Sequence, residues 1–199
     1  PMTTSTYHTQ LITRIRSQQT AIHNWLKEKE SNVLLPFYSS VDIRDAGFKI
    51  ASVDTNLFPA GFNNLASPYD DSVINALKRT IETRVPGCKN ILFITEEHTR
   101  NKWYLENARI LHSMMETAGF NAKMASFLNA DDEICKENHY CELETATGHT
   151  IQLYCLHWII KQFEDNNAEF DMIILNNDLT DGIPPILQET ETPIYPALK

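Results

Sequence analysis

Two short runs of the sequence have an apolar centre of four residues, and they constrain the fold more than any other feature. The run NILFIT covers residues 90–95 and the run FDMIIL covers residues 170–175, each bounded by turn-forming residues. Such runs are typical of strands that are buried on both faces, as in a parallel sheet covered by helices. The sequence therefore predicts an α/β fold with a mostly parallel sheet.

The segments between the predicted strands have the periodicity of helices, and parallel strands need such helical connections. The clearest helix is predicted for residues 101–118, where apolar groups recur at steps of three and four: Tyr104, Ala108, Leu111, Met115 and Ala118. A second helix opens near Asp70 and buries Val73, Leu77 and Ile81. The remaining predictions are an N-terminal helix over 7–29 and strands over 48–54 and 121–127.

A β-hairpin is predicted where YCELETA and TIQLYCL flank the turn TGH. If the chain turns symmetrically about Gly148, one side of the hairpin gathers a plausible zinc-binding set: His139, Cys141, Cys155 and His157. A two-residue turn at Gly148 and His149 shifts the pairing by one residue and removes this set. The alternative is a hairpin with ordinary side chains, and we assign no metal ligands.

Composition excludes several classes of function. The net charge of −9 argues against nucleic acid or an anionic membrane as a partner. The sequence contains no run of about 18 or more apolar residues, which a membrane-spanning helix requires. It also contains no recognisable secretory signal. Four scattered cysteines do not indicate a disulfide framework, so we expect a cytoplasmic protein. A homo-oligomer is compatible with the sequence.

Charge is unevenly distributed along the chain. Residues 1–102 hold 12 Lys and Arg against 10 Asp and Glu, whereas residues 103–199 hold 5 against 16. Arg44, Lys49 and Arg100 lie in the less acidic half, which would suit an anionic small molecule. A solvated surface of uneven charge is the alternative.

Polar segments follow three of the predicted strands. They are Asp54-Thr55-Asn56, the segment EEHTRN (96–101) and Asn176-Asn177-Asp178. In an open parallel sheet, ligands bind outside the carboxyl ends of the strands, so these segments are expected along one edge. Amide and guanidinium groups there could bind the ammonium and carboxylate of an amino acid. The alternative is that they are turn and helix-cap residues.

The loop VDTNLFPAGFNN (53–64) combines asparagines with aromatic residues. We expect Phe58 and Phe62 to anchor it in the core and so to fix Asn63 and Asn64. The six glycines of the chain are far apart. This spacing rules out the phosphate-binding motifs G-x-G-x-x-G and G-x-x-x-x-G-K-[ST] in this sequence.

Three segments resemble those of the proteobacterial glutamate–cysteine ligases that are built on an ATP-grasp plan. They are YSSVDIRDAGFKIASVDTNLFPAGFNNL (38–65), EEHTRNKWYLENARIL (96–111) and ILNNDLTDGIPPIL (174–187). The resemblance spans most of residues 33–199, with a poor match over 129–169. It implies a Rossmann-like, pre-ATP-grasp sheet flanked by helices and elaborated by the hairpin.

The resemblance also implies an activity, the joining of L-glutamate to L-cysteine as the first step of glutathione synthesis. ATP and Mg²⁺ would be cofactors of the full-length enzyme, since phosphorylation turns the poorly electrophilic carboxylate into an acyl phosphate. Members of the family are about twice as long, and their nucleotide half lies C-terminal. We therefore expect residues 1–32 to form an N-terminal helix and residues 33–199 to form the substrate-side domain, which is inactive alone. The alternative is a non-catalytic amino-acid-binding or regulatory module.

Within that domain we predict substrate-binding residues and no catalytic residue. Asp54 and Asn56 would orient an α-ammonium group, and Arg44, Lys49 or Arg100 would pair with a carboxylate. The remaining candidates complete the site or face the nucleotide half: Asn63, Asn64, Glu97, Asn176, Asn177 and Asp178. Tyr104 is a weaker candidate, with a place in the core as its alternative.

Overall fold

The computed structural model describes residues 4–33, 35–97, 100–127 and 139–198. Its chain divides into two compact units, Pro1–Leu57 and Phe58–Lys199. The first predicted strand pairs outside the main sheet and lies in the first unit. The predicted boundary after residue 32, between an N-terminal helix and a substrate-side domain, stays a prediction.

The first unit contains two helices and a two-stranded ribbon. Helix α1 spans Thr4–Ser17, helix α2 spans Gln19–Glu30, and strands β1 (Ser40–Asp45) and β2 (Ile50–Asn56) pair antiparallel. A single helix had been predicted over 7–29, but the chain leaves helical geometry at Gln18, with φ −109° and ψ 11°. Nothing in the residue preferences explains this break.

The second unit is a six-stranded sheet flanked by helices, with strand order β5-β6-β4-β3-β7-β8. Every neighbouring pair is parallel except β5–β6, which confirms the predicted mostly parallel α/β fold. Its elements are α3 (Asp71–Arg84), β3 (Asn90–Thr95), α4 (Lys102–Thr117), β4 (Asn121–Ser126), β5 (Tyr140–Glu144), β6 (Thr150–Cys155), α5 (Leu156–Asp165), β7 (Met172–Asn176), α6 (Pro185–Glu189) and β8 (Ile194–Tyr195).

Strand β3 lies inside the sheet, between β4 and β7. Residues Ile91–Ile94 have no exposed surface, as expected for a strand covered on both faces. Successive side chains alternate between those faces. On one face, Leu92 and Ile94 belong to a buried cluster with Leu156 and Ile159 of α5. The predicted apolar stripe of α4 is fully buried as well.

The hairpin does not form the zinc-binding set. Strands β5 and β6 pair Cys141 with Leu153 and Glu144 with Thr150, so the pairing is centred on residue 147 and Cys141 does not face Cys155. The chain then becomes helical at Leu156, which the sequence analysis missed, and so His157 lies outside the hairpin. Among the described residues, no group of three or more potential metal ligands is found.

The predicted apolar stripe of α3 needs adjustment. Helix α3 buries Ile74 and Ile81, whereas the predicted Val73 and Leu77 are only half-buried.

Cys155 is disulfide-bonded, while Cys88 and Cys141 are free buried thiols. The described part of the chain has no helix that is long and apolar enough to cross a membrane.

Candidate functional site

The polar segments that follow β3 and β7 lie side by side. Thr95 pairs in register with Asn176, the last residue of β7. Both residues are buried, and so is Asn177. Two of the three predicted segments therefore meet at the carboxyl edge of one sheet, where open α/β folds bind their ligands.

The first predicted segment does not end a strand of that sheet. Asp54 and Asn56 lie within β2, which pairs antiparallel with β1 in a separate two-stranded sheet. The expectation that all three segments share one parallel edge is wrong for this reason. Arg44 and Lys49 lie on the same ribbon segment, and all four residues are exposed in the first unit. Their predicted roles in substrate binding stay predictions.

Asn176 is held by protein groups rather than open to a ligand. Its Nδ2 donates to the carbonyl oxygen of Pro59 at 2.9 Å, and its Oδ1 accepts from Nδ2 of Asn107 at 3.4 Å. The Tyr104 hydroxyl donates to the Asn176 carbonyl oxygen at 2.9 Å. Because buried amides are stable only with such partners, Asn176 fastens the loop that begins at Phe58 to the end of β7.

The side chain of Phe58 and the backbone of Phe62 anchor that loop, while the Phe62 side chain, predicted to lie in the core, is only half-buried. Phe58 packs against the buried cluster on the α5 face of the sheet. The backbone N–H of Phe62 donates to Oδ1 of Asn107 at 2.9 Å, and the chain forms one turn of 3₁₀ helix over Phe62–Asn64. The buried Oδ1 of Asn63 accepts no hydrogen bond from the described residues.

Asn177 and Asp178 shape the turn after β7. Oδ1 of Asn177 accepts from the N–H of Leu179 at 2.8 Å, and its Nδ2 donates to the Thr95 carbonyl at 3.2 Å. The N–H of Asp178 donates to Oε1 of Glu96 at 3.0 Å. Leu179 has φ 53°, a left-handed conformation that local side-chain hydrogen bonds help to hold. Asn177 thus has the structural role that the sequence analysis kept as its alternative.

This turn encloses a cavity of about 550 Å³, a volume in the range of small-molecule sites. Four carboxylates line it: Glu96, Glu97, Asp178 and Asp181. Phe127, Leu179 and Ile183 form apolar walls, and none of the described residues that line it is a Lys, Arg or His. Such a cavity favours a cationic group such as an α-ammonium.

A second cavity, of about 430 Å³, lies beside the loop over residues 58–64, which we call the asparagine loop. It is lined by Ala60, Asn63, Asn64, Asn101, Trp103 and Tyr104. Oδ1 of Asn101 accepts from the N–H groups of Trp103 and Tyr104, each at 3.1 Å, so Asn101 is the N-cap of α4. Arg100 is exposed and lines neither cavity.

Sequence reasoning missed a buried ion pair on α4. Arg109 Nη2 lies 2.6 Å from Oε1 of Glu106, whose side chain is only 4% exposed. The Thr147 hydroxyl donates to Oε2 of Glu106 at 2.7 Å. Burial raises the pKa of Glu106, but hydrogen bonds from Arg109, Thr145 and Thr147 and the charge of Arg109 outweigh it and bring the pKa to about 2. The i, i+3 spacing of Glu106 and Arg109 was the available signal.

Comparison with known proteins identifies relatives of this chain. Residues 13–199 match a family model described as GshA: Glutamate-cysteine ligase. A crystal structure from Methylobacillus flagellatus KT, of a protein named as a candidate gamma-glutamylcysteine synthetase, is 35% identical and has a TM-score of 0.81. The match covers 100% of this chain and 45% of that one. No curated protein matches.

Proposed function

Because the chain belongs to the glutamate–cysteine ligase family, we propose that this protein joins the γ-carboxylate of L-glutamate to the amine of L-cysteine and cleaves ATP. The match of the family model to residues 13–199 carries the proposal. The fold agrees with it, since the TM-score of 0.81 covers the whole chain. The reaction is the first step of glutathione synthesis, and an ATP-dependent ligase of this kind belongs in the cytoplasm.

The described residues fit an amino acid better than a nucleotide. Four carboxylates around the larger cavity would repel a triphosphate, and no potential metal-binding group was found among the residues described. We therefore propose that ATP and Mg²⁺ bind outside these residues, and we assign them no step here. The proposal gives this chain the task of binding and orienting a substrate.

In that role, Asp178 and Asp181 act on the ammonium group of the substrate. Oδ1 of Asp178 already accepts from the N–H of Thr180 at 3.1 Å, so its position is fixed before the ligand arrives. Asp181 is exposed and lines the cavity. Glu97 lies on the opposite segment, after β3, and adds negative charge. Because both aspartates are exposed, a charged hydrogen bond at this position contributes about 1.5 kcal/mol or less to binding.

The test is an assay of the full-length protein with ATP, glutamate and cysteine. We expect phosphate release that needs both amino acids, with γ-glutamylcysteine detected by mass spectrometry. Asp181→Asn should raise the KM for one amino acid by about tenfold, equivalent to about 1.4 kcal/mol. Asp165→Asn is the matched control, because Asp165 ends α5. A folded full-length protein that makes no dipeptide would refute the ligase proposal, and an unchanged KM would remove Asp181 from the site.

A second candidate is a non-catalytic amino-acid-binding or regulatory module. It is favoured by the same cavity, which suits an ammonium group but not a nucleotide. Calorimetry of the 199-residue chain with glutamate and with cysteine distinguishes the two functions. Micromolar binding without turnover in the full-length protein supports the module, whereas turnover supports the ligase.

A further inference from the structure

The first unit exposes an unusual amount of apolar surface. Among the described residues, thirteen of the sixteen exposed large hydrophobic side chains lie between Ile12 and Leu57. Single exposed apolar residues are ordinary, but a concentration of them marks an interaction surface. The larger unit contributes only three: Leu65, Tyr69 and Trp103.

The two helices of the first unit present apolar groups at helical spacing without burying them. Ile12 and Ile15 on α1 are 49% and 48% exposed, and Trp25 on α2 is 57% exposed. No residue of α2 is buried, nor is any described side chain of α1. Since helices of 12 to 14 residues depend mostly on packing of an apolar face for their stability, these faces need a partner.

The ribbon of β1 and β2 has the same deficiency. Ile43 is 65% exposed and Phe48, in the turn, is 81% exposed. An isolated two-stranded sheet is marginally stable in water and needs further strands or a helix packed on it. Among the described residues of the first unit, both the helices and the ribbon therefore leave large apolar side chains exposed.

We propose that the apolar surface of α1, α2 and the β1–β2 ribbon docks against the rest of a family protein's chain. The solved relative retains the fold of this whole chain at a TM-score of 0.81, yet this chain covers only 45% of it. More than half of that relative therefore lies outside the matched region. An apolar surface is typical of a permanent interface, and a partner in the same polypeptide is present at high effective concentration.

The apolar side chains of this surface thus bind the part of the family chain that lies outside the matched region. The inference rests on family membership and on exposure, and it does not depend on the ligase activity. Loss of activity and loss of docking can therefore be told apart.

Hydroxyl-radical footprinting of the full-length protein tests the docking. Trp25 and Trp103 are matched probes, because they are 57% and 63% exposed in this chain. The oxidation rate of each tryptophan is compared with its own rate in the urea-unfolded protein, and native mass spectrometry reports the oligomeric state. We expect Trp25 to be protected by more than about tenfold in the monomer, with Phe48 protected in parallel.

Two results would overturn the proposal. One is oxidation of Trp25 within about threefold of its unfolded rate. The other is protection that appears only in a dimer and falls on dilution, because the occupant would then be a second copy. A polar double variant, Trp25→Ser with Phe48→Ser, gives an independent readout. It should lower the Tm of the full-length protein by several degrees, whereas Trp103→Ser should change the Tm much less.

Discussion

At the scale of single residues, the asparagines around the carboxyl edge hold the backbone in place. Asn107 and Asn176 are 0% and 1% exposed, and their amides bind each other and the asparagine loop. The sequence analysis predicted a binding role for Asn176 because an amide can serve a ligand or the backbone equally well. Residue type alone cannot separate these roles, since only the three-dimensional contacts show which hydrogen bonds are already made.

Replacing Asn176 should therefore destabilise the fold. Asn176→Ala leaves the Pro59 carbonyl without its donor and removes the acceptor for Asn107. We expect the free energy of unfolding to fall by about 2–3 kcal/mol, measured by urea denaturation. Asn64→Ala is the control, because Asn64 is exposed and its effect should stay within about 0.5 kcal/mol. Equal effects of the two substitutions would contradict this account.

At the scale of helices and strands, the sequence predicted those elements whose periodicity agrees with their burial. Strands β3 and β7 and the stripe of α4 were predicted from apolar patterns, and all are buried. The register of the hairpin was not predictable, because a shift of its turn centre from residue 148 to residue 147 changes every cross-strand pair. Strand β2 was predicted as a strand, but periodicity does not identify its pairing partner.

The contact between α4 and the hairpin should depend on pH. The pKa of Glu106 is about 2 in the folded protein and 4.5 as its ordinary value. The unfolded state therefore binds the proton more tightly, and the stabilisation is complete above pH 4.5 and is lost as pH falls toward 2. By pH 3 the free energy of unfolding should fall by about 2 kcal/mol from this group alone.

Urea denaturation at pH 7 and pH 3 measures this effect. The stability difference between the native protein and Glu106→Gln should shrink by about 2 kcal/mol between the two pH values. Glu142→Gln serves as the control, because Glu142 is exposed on β5, and its difference should stay constant. If the stability difference between the native protein and Glu106→Gln does not change with pH, then the pKa of the Glu106 carboxyl is the same in the folded and unfolded states.

At the scale of the whole molecule, stability should be uneven. The larger unit has a continuous buried core, whereas α2 has no buried residue and the ribbon is mostly exposed. In the 199-residue chain, backbone amides of α2 and the ribbon should exchange with deuterium at least about 100-fold faster than those of β3 and β7. Mass spectrometry of peptic fragments measures these rates. Similar protection in both units would mean that the first unit is stabilised by interactions other than apolar burial.

The phenol of Tyr104 has a consequence for access to both cavities. Tyr104 lines the smaller cavity, while its hydroxyl oxygen accepts from the N–H of Glu96 at 2.8 Å. Glu96 in turn lines the larger cavity. Rotation of this ring would reshape the smaller cavity and break the hydrogen bond to the backbone of Glu96 beside the larger one. A ligand that moves this ring from within one cavity would therefore also alter the lining of the other.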